Sequence, residues 1–123
     1  MRYVFVMLPE FDKQWAKLGL TDDDLKRLQC VLLDNPQGGD LVQGTGGLRK
    51  LRFAFSNRGK SGSIRVAYVE FPKYSHIFLI TTYAKKDKEN LTQSECNSIK
   101  QVITVLAHNL ERQWQRYCNR RNI

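Results

Sequence analysis

Three β-strand patterns follow one another in the middle of this chain, with connections too short to hold a helix. Residues 48–55 alternate, with Leu51, Phe53 and Phe55 on one face and Lys50 and Arg52 on the other. A period of two is the pattern of a half-buried strand. Residues 64–71 and 77–84 are two further strand-like runs, set off by SNRGKSG at 56–62 and by a connection around Pro72-Lys73. Strands joined so closely pair antiparallel, because parallel neighbours need a crossover of a dozen or more residues. The centre of the chain therefore predicts an antiparallel meander.

The flanks supply the elements that pack on that sheet. Residues 2–8 (RYVFVML) read as a buried strand ended by Pro9. Phe11, Trp15 and Leu18 recur at helical spacing, and Gly19 can stop that helix. Thr21 before Asp22, Asp23 and Asp24 marks a second helix N-terminus, with carboxylates at the positive end of the dipole. Leu25, Leu28 and Leu32 form its apolar stripe, and Asp34-Asn35-Pro36 closes it. Residues 37–47 hold five of the eight glycines and read as a loop. Thr92 and Glu95 make a capping-box pattern, and Cys96, Ile99, Ile103, Leu106, Leu110 and Tyr117 mark a long amphipathic helix. The predicted order is β-α-α-β-β-β-α, a single α+β domain over residues 1–123 with a small antiparallel-rich sheet packed against helices.

At 123 residues such a domain buries roughly two-thirds of its unfolded surface and needs no disulfide or metal to hold it. Cys30, Cys96 and Cys118 are widely spaced and lack metal-ligand spacing, so they read as reduced thiols in a cytoplasmic protein, with no metal site and no cofactor. The apolar run before Pro9 is too short for a signal peptide or a membrane span.

Charge narrows the function. The net charge is +8, and all the excess is downstream: residues 1–40 carry five Lys/Arg against seven Asp/Glu, residues 41–123 fifteen against five. That asymmetry points to a polyanion, RNA above all. Arg49, Lys50 and Arg52 lie on the second strand, Arg65 on the third, and Lys85 and Lys86 at the end of the fourth. Lys on a sheet edge guards against aggregation, but an antiparallel sheet would bring cations on three successive strands together. Crowded like charges lower a lysine's pKa, which would make it a usable proton acceptor. Tyr68, Phe78 and Tyr83 offer rings for base stacking, although core packing is the expected role of at least two of them.

Other chemistries find little support. AFSNRGKS at 54–61 mimics a phosphate loop ending in Lys60 and Ser61, but residues 62–71 read as a strand where a helix N-terminus is required. His76 and His108 stand alone, and no Ser/His/Asp or paired-carboxylate arrangement stands out.

Three blocks in order, GTGGLRKLR (44–52), RGKSGSIRVAY (58–68) and YAKKDKENLT (83–92), resemble the RelE/HigB superfamily of bacterial toxins, and its HigB-like branch in particular. The resemblance covers nearly the whole chain. It implies a metal-independent, ribosome-dependent mRNA endoribonuclease, silenced by a cognate antitoxin, a HigA-like helix-turn-helix protein. Its basic catalytic positions carry over to Lys50, Arg52, Arg65 and Lys85, with Arg49, Lys60 and Lys86 as RNA-binding neighbours. RNA's own 2′-hydroxyl would be the nucleophile, Lys85 or Lys50 the base, and Arg65 and Arg52 the stabilisers of phosphate charge. Many relatives carry a tyrosine or histidine just after the last strand; residues 87–91 here, DKENL, have neither. Two other readings stay open: a ParE-like toxin that binds a protein such as DNA gyrase without catalysis, and a plain RNA-binding module.

Overall fold

The computed structural model describes residues 2–57 and 60–121, without the side chains of residues 57, 60, 61 and 121. Its elements are β1 (Val4–Met7), α1 (Pro9–Lys17), α2 (Asp22–Asp34), β2 (Asp40–Leu41), β3 (Arg49–Asn57), β4 (Lys60–Phe71), β5 (His76–Ala84) and α3 (Gln93–Arg121). They form an α+β fold around a five-stranded sheet of order β1-β5-β4-β3-β2. The meander β3–β4–β5 is antiparallel throughout. β1 joins it parallel to β5, with Val4 beside His76 and Met7 beside Leu79.

Local chemistry sets the element ends. Pro9 opens α1, where its missing N–H costs nothing. At α2 the Thr21 side chain accepts from the Asp24 N–H at 3.2 Å, and the Asp24 carboxylate accepts from the Thr21 N–H at 2.9 Å. The expected box at α3 is present as well: Thr92 Oγ1 accepts from Glu95 N–H at 3.1 Å, and Glu95 accepts from Thr92 N–H at 2.8 Å. Gly19 takes φ +73°, a conformation that lets the chain leave α1 at once.

The sheet is covered on both faces. On one, Phe11, Trp15, Leu28 and Leu32 of the first two helices pack on Phe53, Ile64, Val66, Tyr68, Ile77 and Leu79. On the other, Ile99, Ile103 and Leu110 of α3 pack on Leu48, Ala67, Val69, Phe78 and Ile80.

Four expectations are corrected. The glycine-rich stretch is not all loop: Asp40 and Leu41 pair with Lys50 and Arg49. Of the turn expected at 56–62, Ser56, Asn57, Lys60 and Ser61 are paired strand residues, while residues 58 and 59 lie outside the described residues. Tyr117 does not belong to the buried stripe of α3; it is 52% exposed, since the sheet ends before the helix does. Tyr68, Phe78 and Tyr83 are all buried, so none presents a ring face for a base.

Candidate functional site

Parity along the strands decides which cations share a face. Leu51, Phe53 and Phe55 turn toward α1 and α2, so Lys50 and Arg52 turn to the α3 side. Arg52 lies directly opposite Arg65 of β4, and Lys50 opposite Ala67. Arg65 in turn lies opposite Tyr83 of β5.

The Tyr83 placement depends on an irregularity. Ala67 pairs with Thr81 but Tyr68 pairs with Leu79, so β5 carries one extra residue at Ile80. Upstream of it, Ile77 and Leu79 face α1 and α2. Strict alternation would send Tyr83 the same way. The bulge reverses the alternation and sets Tyr83 on the same face as Arg65, the usual effect of a bulge on side-chain direction.

Electrostatics at this spot is lopsided. Directly opposed cations on neighbouring strands destabilise each other, and among the described residues no carboxylate pairs with Arg52 or Arg65. Arg65 Nη1 and the Tyr83 hydroxyl are both buried without a hydrogen-bond partner in the protein. Burial pushes the Tyr83 phenol up from its ordinary pKa, and the Arg65 charge opposes that rise. Tyr68 differs: its equally buried hydroxyl donates to Pro36 O at 2.9 Å and accepts from Gly39 N–H at 3.0 Å. Buried polar groups are nearly always satisfied. Arg65 Nη1 and the Tyr83 hydroxyl are thus two donors that the described protein groups leave unsatisfied.

The segment between β5 and α3 borders this place. Lys50 Nζ donates to Asn90 Oδ1 at 2.9 Å. Lys88 Nζ lies 5.0 Å from the Tyr83 ring centre and donates to Glu95 at 2.5 Å. That ammonium, with the Thr92 N–H, holds the Glu95 carboxyl below the usual carboxylate range.

Lys85 and Lys86 come just after the end of β5, exposed, and line a groove of about 810 Å³ with Leu18, Phe55, Gly62, Ser63 and Ile64. The Arg49 guanidinium donates to the Gln37 and Gly39 carbonyls at 3.1 and 2.7 Å, pinning the glycine-rich loop. It belongs to the face opposite Lys50 and Arg52. The Lys60 side chain lies outside the described residues. Residues 58 and 59 of the phosphate-loop mimic lie outside the described residues, and the strand β4, not a helix, follows them. His76 Nδ1 is 2.7 Å from Tyr74 O and its ring stacks on Phe78, while His108 is exposed on α3.

Sequence reasoning missed Tyr83 as the cross-strand neighbour of Arg65, and it missed Lys88. A Lys in the strand-to-helix connection, seven residues before a capping-box Glu, was the available signal for the second. Nothing in the sequence marks the bulge that orients the first.

Comparison with known proteins agrees with this architecture. Residues 6–123 match the family model described as the RelE toxin of the RelE / RelB toxin-antitoxin system. The free state of the E. coli toxin RelE, solved as a double arginine-to-alanine mutant, superposes with a TM-score of 0.54. The match is at 20% sequence identity and covers 80% of this chain and 97% of that one, which establishes the shared fold.

Proposed function

The chain belongs to the RelE toxin family, and on that footing we propose that it is an mRNA endoribonuclease acting on translated message without a metal. The observation that supports this most is the Arg52–Arg65–Tyr83 row, in which two arginines lie opposed and Arg65 Nη1 and the Tyr83 hydroxyl are buried without a partner. A phosphodiester would satisfy both donors and relieve the repulsion between the arginines.

In the proposed reaction Lys50 takes the proton of the ribose 2′-hydroxyl. The oxygen attacks the adjacent phosphorus, Arg65 and Tyr83 hold the non-bridging oxygens as their charge grows, and Arg52 neutralises it from the neighbouring strand. The bond to the 5′-oxygen breaks, and that oxygen takes up a proton from solvent water. The products are a 2′,3′-cyclic phosphate upstream and a 5′-hydroxyl downstream. Lys85, the other base the sequence offered, lines the separate groove with Lys86, where both would guide the RNA chain. Arg49 positions the loop behind β3. Lys88 is placed to bind a flanking phosphate once it exchanges Glu95 for the substrate.

A site of cations with no base-reading pocket selects message poorly by itself, so the ribosome would present the mRNA. An antitoxin, expected to be a HigA-like helix-turn-helix protein, would silence it. Arg65→Ala and Arg52→Ala expressed without antitoxin test the reading: each should abolish toxicity and the cleavage of translated mRNA in a folded protein. Full toxicity of either variant would remove that residue from the mechanism. Toxicity without any mRNA cleavage would replace the nuclease with a protein-binding toxin.

A further inference from the structure

Helix α3 is longer than the body it packs on. Its 29 residues span roughly 43 Å, and its last buried side chain is Leu110. The extension beyond Leu110 is held at its root. Glu111 accepts from the Tyr74 hydroxyl and pairs with Lys73 at 3.3 Å. The Tyr74 ring meets Trp114 edge-on at 6.4 Å, and Trp114 stacks on Tyr117 at 5.8 Å. The first turns of the extension are thus fixed to the β4–β5 connection, at the opposite end of α3 from Lys88 and Tyr83.

The outward side of this extension carries Arg112, Gln113, Arg116, Asn119 and Arg120, all exposed. The three arginines recur every fourth position, so they form one row with about 6 Å of rise between members. No carboxylate interrupts it, and the neighbouring exposed aromatics, Trp114 and Tyr117, are stacked on each other. A protein partner is recognised through an apolar centre; a nucleic-acid partner through a polar, cationic surface. A row about 12 Å long is long enough to meet several successive phosphates of one strand. We propose that the arginine row of the α3 extension binds the phosphate backbone of double-stranded RNA, independently of the strand face. The contact is to shape and charge, the usual mode for A-form duplexes.

The test is fluorescence anisotropy of the full chain on a two-turn RNA duplex, titrated against salt. Arg112→Gln/Arg116→Gln/Arg120→Gln is compared with Lys13→Gln/Lys17→Gln/Lys26→Gln, which removes the same charge from α1 and α2. The arginine triple should weaken binding roughly tenfold and reduce the salt slope by about 3, for three phosphate contacts. The lysine triple should stay near the parent. If the arginine triple unsettles the helix by circular dichroism, the Arg→Lys triple must keep the slope and Arg116→Gln alone must lower it by about a third of that amount. An unchanged slope for the arginine triple overturns the proposal, even if a protein complex is weakened instead. Equal losses for both triples overturn it in favour of diffuse charge. Duplex binding is read directly and not through mRNA cleavage, so failure of the nuclease reading and failure of this one give different results.

Discussion

Two buried tyrosines on adjacent strands should respond oppositely to the loss of one oxygen atom. The Tyr68 hydroxyl makes two hydrogen bonds, to Pro36 O and from Gly39 N–H. Tyr68→Phe leaves both partners orphaned, and at about 1 kcal/mol for each it should destabilise by about 2 kcal/mol. For a chain of 123 residues that lowers Tm by roughly 8 °C. The Tyr83 hydroxyl is buried with no hydrogen-bond partner among the protein groups, so its removal breaks no hydrogen bond within the protein. Tyr83→Phe should be neutral or stabilising by about 1 kcal/mol, raising Tm by up to roughly 4 °C. The same change removes a donor to the phosphate, and a hydrogen bond to a charged group contributes about 1.5–3 kcal/mol. Cleavage of translated mRNA should therefore fall roughly tenfold to hundredfold. Thermal melts followed by circular dichroism, paired with primer-extension mapping of cleavage, read both effects. A Tyr83→Phe variant that melts early would show that its hydroxyl is satisfied within the protein. One that is stabilised and fully active would show that the substrate does not use it.

Gly39→Ala should destabilise by about 1–3 kcal/mol. A Cβ there would sit 2.9 Å from Tyr68 Cε1 and 3.0 Å from Lys50 O, and Tyr68 is too tightly packed to give way. An unchanged melting temperature would contradict that packing. The Glu95 carboxyl is held low by Lys88 and the Thr92 N–H. The stabilisation it supplies is complete above the ordinary carboxylate pKa and is lost as pH falls through its lowered value. Glu95→Gln should therefore lose less stability than the parent on acidification from neutral pH; parallel unfolding curves would refute the coupling.

Much of this was legible in the sequence, for physical reasons that differ by element. The alternation in β3 places Lys50 and Arg52 correctly because one face of that strand is buried and the other is not. The Thr92–Glu95 box is visible because capping is local chemistry between residues three apart. The features that could not be read depend on long-range pairing. The parallel seat of β1 beside β5 has no local code. Parity through β5 fails at Ile80, so Tyr83 read as a possible stacking ring rather than as the partner of Arg65. Lys85 and Lys86 lie beyond the last strand pair, where period-two reasoning stops applying. Tyr117 kept the helical period of α3 beyond the point where the sheet could cover it.

The central claim is that the Arg52–Arg65–Tyr83 face cuts RNA through its own 2′-hydroxyl. It is tested most directly by the chemistry of the ends. Message is translated in an extract with the parent protein or with Arg65→Ala, at the Mg²⁺ level ribosomes require. The fragments are then ligated selectively by 5′-hydroxyl or 5′-phosphate chemistry. The parent should leave 5′-hydroxyl downstream ends and cyclic or 3′-phosphate upstream ends. A 2′-O-methyl group at the scissile nucleotide should block the cut, and Arg65→Ala should leave none. Downstream ends bearing 5′-phosphate, or undiminished cutting at the 2′-blocked position, would contradict the account.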